Sequence, residues 1–411
     1  MRRKGMTSRI VVLGLAMAGL GLASLSVVRT PPWLSWKLGL VAGEFGHWLA
    51  VVMLVVAVVG FALVPGSASK LAAYLAGGGA VAALVAMGLG MRPAALAARI
   101  ARDLPAEMKR GFGVEPTGVP FAWSRLWSVR GVAPVSVETR TYGPGGALAM
   151  DVYREAGNAD RLQPVVIVIH GGGWDSGDRF QLTAFNHQVA RMGYVVAAIS
   201  YRLAPAHVWP AQKEDVLAAI AQVKTHAAEL GADATRIVLL GRSAGGQIAS
   251  AVGYGVDDPA VVGVVGLYSP HDLNFAWRYA REDDALNSPK LMRQYLGGPQ
   301  SERAAAYDDA SGIRFVKRRD AADPRPTPPT LLMHGTIDQL VWRRQSERLT
   351  TVLAVNEVPH VFVELPWAVH AFDFNPHGPG GQLLDYALRN YLRVVAMRSI
   401  RHSGAFGRGN S

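Results

Sequence analysis

Three stretches of this chain contain no Asp, Glu, Lys or Arg: Ile10–Val28, Phe45–Val64 and Leu71–Met91, of 19, 20 and 21 residues. About 20 apolar residues wound as helix reach across the roughly 30 Å hydrocarbon core of a bilayer, at about 1.5 Å per residue. One such stretch suits the interior of a large soluble fold. Three in succession predict about three transmembrane helices and a multi-pass anchor over residues 1–92. Trp33, Trp36 and Trp48 flank these spans as an interfacial aromatic belt would. Gly77, Gly78, Gly79, Gly88 and Gly90 in the third allow close helix–helix approach. Arg2, Arg3 and Lys4 before the first span also suit a signal peptide, with a weak small-residue site at Ala23–Leu25.

Charge follows the same division. The chain has 42 Lys and Arg against 31 Asp and Glu, a net of +11, and residues 1–110 carry 12 of the former but only 3 of the latter. The remaining three-quarters is nearly neutral and has no basic patch interleaved with aromatics, which argues against nucleic acid as a partner. The absence of cysteine excludes a disulfide scaffold, a cysteine nucleophile and a thiolate metal site. The basic N-terminus favours a cytoplasmic start, and three crossings then place the C-terminal region outside the cytoplasm. Arg92, Arg99, Arg102, Lys109 and Arg110 after the third span pull the other way. Residues 93–110, with Leu96, Ile100 and Leu104 four apart, read either as a basic amphipathic helix on the membrane surface or as a plain helical linker. Residues 93–134 thus form a juxtamembrane linker, and 398–411 a basic tail.

Between them, residues 135–397 alternate strand and helix. Val135–Tyr142 and Ala147–Arg154 flank Gly143-Pro144-Gly145-Gly146, a hairpin signal. Val165–Ile169, Val195–Ile199, Ile237–Leu240, Val261–Leu267, Thr330–Met333 and Val361–Leu365 are apolar runs of the kind found in strands covered on both faces. Helical spacing lies between most of them, as in Val216, Ala219, Ile220 and Val223. This predicts an α/β class with a mostly parallel sheet and helices on both faces. Residues 271–329 break the alternation and read as an inserted lid. Its Phe275, Trp277 and Tyr279 either line a pocket or form the lid's own core.

The candidate chemistry lies at strand ends. Gly241-Arg242-Ser243-Ala244-Gly245 follows one apolar run and precedes a helical pattern, the setting in which Gly-x-Ser-x-Gly exposes a serine hydroxyl on a sharp turn. His170-Gly171-Gly172-Gly173-Trp174 ends another run, and side-chain-free glycines let backbone N–H groups reach a developing oxyanion. The expected donors are the N–H groups of Gly172, Gly173 and Ala244, with His170 and Gly171 supporting the loop. A serine nucleophile needs a base and an orienting acid. His370 and Asp338 each sit just past a strand, and the order Ser243, Asp338, His370 suits this kind of sheet. His334 lies too near its strand and is expected to pack in the turn. Asp373 is expected to cap or bind locally, and His360 and His377 to lie at the surface.

Together with Tyr201-Arg202-Leu203-Ala204-Pro205 and His334-Gly335-Thr336-Ile337-Asp338, these motifs resemble the α/β-hydrolase superfamily, in its hormone-sensitive-lipase-like and carboxylesterase branches. The resemblance covers roughly residues 135–397. It implies an eight-stranded, mostly parallel sheet and hydrolysis of a small-molecule or lipid ester through a serine acyl-enzyme, with no cofactor and no metal. The same machinery would also serve an amidase or arylformamidase, a polysaccharide deacetylase or an acyltransferase; a binding protein with a relic site is the non-enzymatic alternative. Arg242 stands where many lipase-like relatives carry Asp or His, which implies a more basic pocket mouth. The sequence is silent on oligomeric state.

Overall fold

The computed structural model describes residues 2–29, 34–65, 67, 69–155, 162–317 and 327–401. The chain begins with helices α1 (Arg2–Ser24), α2 (Trp36–Glu44), α3 (Gly46–Leu63) and α4 (Lys70–Phe112). Of these, α1, α3 and α4 are long and apolar enough to cross a membrane. They pack through small residues: Gly46 lies against the backbone of Gly90, Gly60 against Ala76 and Ala80, and Gly79 against the backbone of Leu13. Ala16, Ala57, Ala83 and Ala86 fill the interior, while Val52, Val55, Val58, Phe61 and Val81 point outward and are exposed. Small residues inside and large apolar ones outside are what a lipid surrounding would favour.

Three features of this region differ from the reading of the sequence. The third span and the helix expected over 93–110 are one continuous 43-residue helix, α4, with Pro93 and Pro105 inside it. Its last turns do not lie free or on a membrane surface. Leu104, Met108 and Phe112 are buried in the core of the following domain, and Gly111 abuts the His360 carbonyl. The linker boundary at 93 therefore falls inside a helix. In addition, the short helix α2 separates the first two spans. Trp33 and the tail from residue 402 lie outside the described residues.

The second part folds as β1 (Ser136–Tyr142), β2 (Leu148–Arg154), β3 (Gln163–Ile169), α5 (Thr183–Ala190), β4 (Val195–Ile199), α6 (Ala211–Thr225), β5 (Ala232–Arg242), α7 (Ala244–Gly255) and β6 (Val261–Leu267). The lid elements α8 (Leu273–Tyr279), α9 (Ser288–Leu296) and α10 (Gln300–Asp309) follow, then β7 (Thr330–Gly335), α11 (Arg344–Val355), β8 (His360–Leu365) and α12 (Pro379–Arg401). The eight strands form one sheet in the order β1-β2-β4-β3-β5-β6-β7-β8. β1–β2 and β2–β4 pair antiparallel, and all other neighbours are parallel. This is the mostly parallel sheet that the alternation predicts.

Because successive side chains of a strand point to opposite faces, each apolar run feeds two cores. Val166 and Val168 face one side with α12, the end of α4 and α5. Val165, Ile167 and Ile169 face the other with α6, α7 and the lid. The parallel strands all deliver their C-terminal ends to one edge, where ligands bind in open α/β sheets.

Candidate active site

Ser243 caps α7 directly after β5, with φ 52° and ψ −120°. A non-glycine residue held at positive φ marks stored strain, and the neighbouring glycines explain how the turn closes. A Cβ at Gly241 would meet the backbone of Gly245, one at Gly245 would meet the carbonyls of Ile169 and His170, and one at Gly246 would meet Ser269. The start of α7 is thus pressed against its own strand and both neighbouring strand ends, and the Ser243 side chain is left facing the open edge.

After β3, the glycine loop bends over this serine. Gly172 and Gly173 have φ of 120° and 61°, where a side chain is strongly disfavoured. A Cβ on Gly171 would stand 3.3 Å from that of Ser243. The Gly171 N–H donates to Gln181 Oε1 at 2.8 Å. No described residue accepts from the N–H groups of Gly172 or Gly173. The N–H of Ala244, first in α7, has no intrahelical partner by construction. His170 does not face the serine. Its Nδ1 donates to the Gly171 carbonyl at 2.7 Å, and its ring stacks on Tyr201 at 4.2 Å. Burial holds its pKa below the ordinary value, which keeps it neutral.

β7 and β8 supply the other groups. Asp338 is buried; its Oδ2 accepts from His370 Nδ1 at 2.8 Å, and its Oδ1 accepts from the N–H groups of Leu340 and Val341 at 2.8 and 3.0 Å. Burial alone would raise the Asp338 pKa, but the facing His370, aided by His334, holds the carboxyl well below the usual carboxylate range. His334 packs in the turn: its Nδ1 lies 2.8 Å from Ser346 Oγ and its Nε2 3.0 Å from the Val341 carbonyl. Ser243 and His370 line the same cavity, about 1020 Å³ in volume, together with Gly172, Gly173 and Ala244.

Two expectations need correction. Arg242 does not make the mouth basic. Its side chain is buried, its Nε donates to Asp373 Oδ2 at 2.6 Å, and its guanidinium lies over Phe185. Asp373 accordingly does not bind locally; it reaches this arginine across 131 positions and also accepts from Tyr268 OH at 2.6 Å. His360 and His377 are both half-buried and bonded to the carbonyls of Val358 and Arg130. The lid aromatics divide between the two readings. Phe275 and Tyr279 line the cavity beside Trp342, whereas Trp277 packs edge-on against Tyr307 inside the lid.

Several groups around the site were not singled out in the sequence. Tyr268 meets His370 edge-on at 4.5 Å and directly follows β6, so its position at a strand end was a usable signal. Gln247, one turn after Ser243, accepts from Trp174 Nε1 and Tyr295 OH and donates to the Ala310 carbonyl, tying the glycine loop to the lid. Arg29 and Trp36, from the N-terminal region, also line the cavity. Glu44 is buried; its Oε1 accepts from Trp367 Nε1 at 3.1 Å and its Oε2 from the Gly380 N–H at 2.9 Å. Burial, reinforced by the charge of Asp373, raises its pKa to about 8. Glu44 is the first acidic residue of the chain and the only one before Asp103, which is the signal that could have found it.

A mostly parallel eight-stranded sheet with a strained serine at the β5–α7 turn and an acid–histidine pair on the loops after β7 and β8 defines an α/β-hydrolase. Residues 150–353, just under half of the chain, match the family model described as BD-FAE. Among curated proteins, the probable carboxylic ester hydrolase LipM of Mycobacterium tuberculosis is 32% identical over 251 residues, 57% of this chain and 55% of that protein. Esterase LipC of the same organism is 32% identical over 249 residues, 56% of this chain and 59% of that one. The matched region thus spans little more than half the length of these relatives. Among solved structures, the Pyrobaculum calidifontis esterase is 25% identical with a TM-score of 0.55, covering 72% of this chain and 93% of that one. A Rhizomucor miehei esterase, 22% identical with a TM-score of 0.54 over 65% of this chain and 87% of that one, shares the fold.

Proposed function

We propose that this protein is a membrane-anchored serine carboxylesterase. Ser243 attacks the ester carbonyl while His370 takes its proton; His370 then returns a proton to the leaving alcohol. The acyl group stays on the Ser243 oxygen until water, deprotonated by the same imidazole, releases the acid. Asp338 holds the imidazole with its Nδ1 protonated and stabilises the imidazolium that forms. The N–H groups of Gly172, Gly173 and Ala244 receive the oxyanion at the positive end of α7, and His170 and Gly171 keep that loop in place. The reading rests above all on the 2.8 Å bond between His370 and the depressed carboxyl of Asp338 in the cavity that holds the strained Ser243. Helices α1, α3 and α4 serve as the bilayer anchor. A cytoplasmic N-terminus places the hydrolase domain on the extracytoplasmic side. Arg92, one of the basic residues that opposed this orientation, is engaged by the fold: it donates to the Ser26 carbonyl just past the end of α1.

The test is labelling with a fluorophosphonate, which phosphonylates an activated serine. The full-length protein should be labelled and should hydrolyse p-nitrophenyl esters, and Ser243→Ala should lose both. Labelling that survives in Ser243→Ala would remove Ser243 from the mechanism.

A further inference from the structure

We propose that Arg29 and helix α2, between the first two membrane helices, form a working wall of the active site, and that the cavity therefore takes long-chain carboxylic esters borne by the membrane. Trp36 is the specificity-determining residue of that wall. The inference rests on the serine-esterase reading and deepens it.

Helix α2 is held by the loop that carries His370. Glu44, at its C-terminus, receives hydrogen bonds from Trp367 and Gly380, and the Glu44 main-chain carbonyl accepts from Asn375 Nδ2 at 3.0 Å. These three contacts bracket His370 in sequence. At the other end of α2, the Trp36 ring stands edge-on to the His370 imidazole, centroids 6.1 Å apart. The base that serves Ser243 is thus flanked by Tyr268 of the sheet on one side and by Trp36 of the membrane connector on another.

The level of this wall follows from the helix ends. Ser26 Oγ donates to the Leu89 carbonyl at 3.3 Å, Arg92 donates to the Ser26 carbonyl at 2.8 Å, and Gly46 touches Gly90. The end of α1 and the start of α3 therefore lie level with residues 89–92 of α4, where its apolar stretch stops, on the hydrolase side. Arg29 lies five residues past the end of α1 and Trp36 opens α2, and both line the cavity. The cavity meets the membrane helices where headgroups would lie. Its lining includes Leu286, Leu291, Met292, Val341 and Phe374, and Arg242 is neutralised by Asp373. At about 1020 Å³ it stands at the upper end of ordinary ligand sites, roughly 300–1,000 Å³. Such a space suits a long alkyl chain entering from the bilayer, with its ester carbonyl stopping at Ser243.

The experiment uses the full-length protein in phosphatidylcholine vesicles and compares the rates of Ser243 labelling by ethyl and hexadecyl fluorophosphonates. The wild-type protein should favour the hexadecyl probe. Trp36→Ala should reduce the long-to-short ratio by on the order of tenfold, the effect of losing about two methylenes' worth of apolar contact. Trp36→Phe, which keeps an aromatic edge, should fall between. Thermal melting of each variant separates this effect from misfolding. If Trp36→Ala does not fold, the Trp36→Phe ratio decides. A folded variant whose ratio equals that of the wild type overturns the inference, as does a wild-type preference for the ethyl probe. A wild-type protein that neither probe labels overturns instead the esterase reading on which the inference stands.

Discussion

At the residue scale, the most exacting group beside Ser243 is Arg242. Placing a guanidinium next to Ser243 in the interior costs desolvation that only a close counter-charge offsets. Asp373 is that charge: the pair is almost wholly buried, with side-chain exposures of 2% and 1%. The two ends of the pair lie beside Ser243 and on the loop that carries His370, so the pair also joins these two parts of the site. Asp373→Asn leaves a buried guanidinium without its partner and should lower stability by about 3–5 kcal/mol. Replacing both partners by leucine should recover much of that loss. Denaturant unfolding in detergent, followed by tryptophan fluorescence, measures both. A single variant as stable as the wild type would show that solvent reaches the pair.

At the scale of the element, α4 has two environments along one axis. Its first half presents small residues to α1 and α3 and large ones outward; its last turns bury Leu104, Met108 and Phe112 beneath the sheet, with Phe112 against Tyr391 of α12. At about 1.5 Å per residue, such a helix exceeds the span of a bilayer core by roughly a factor of two, so its end is free to serve as a core helix of the hydrolase domain. Leu104→Ala should destabilise that domain by about 2–5 kcal/mol, as buried leucine truncations do. Exposed Leu71→Ala at the start of the same helix should cost far less. Thermal unfolding in detergent compares them, and equal effects would mean that the docked end contributes nothing. A chain cut at residue 111 would lose Leu104 and Met108 from its core, so the soluble fragment should unfold more readily than the intact protein.

At the scale of the whole molecule, the buried Glu44 links the N-terminal helices to the hydrolase domain. Its folded pKa, about 8, lies above its ordinary value of 4.5. The unfolded chain therefore releases this proton near pH 4.5, while the folded chain keeps it until near pH 8. Glu44 thus contributes a stability that is complete below pH 4.5, is lost as pH rises toward 8, and is constant above that. Glu44→Gln should abolish this slope. It should also remove one of the two accepted hydrogen bonds, worth about 1 kcal/mol at every pH. Melting temperatures of the two proteins at pH 5, 6, 7 and 8 read the difference directly; parallel curves would mean that Glu44 is ionised in the fold.

How far the sequence went can be judged from particular residues. The strand runs and the positions of Ser243, Asp338 and His370 past strand ends were legible because they depend on local pattern: apolar periodicity, glycines at a forced turn, polar residues where a strand stops; the eight-stranded, mostly parallel sheet was what the resemblance implied. The three apolar helices were legible for the same reason, since length and charge are properties of the chain alone. Tertiary structure decided what depends on distant partners. Arg242 looked like a free charge until Asp373, far along the chain, was folded against it. Residues 93–110 looked like a linker because an amphipathic face shows only that it needs cover, and the cover came from β8 and α12. Trp36 and Glu44 looked like parts of an anchor, and only folding brought them to the loop of His370. A sequence displays what each segment must bury or pair, and the packed molecule decides with what.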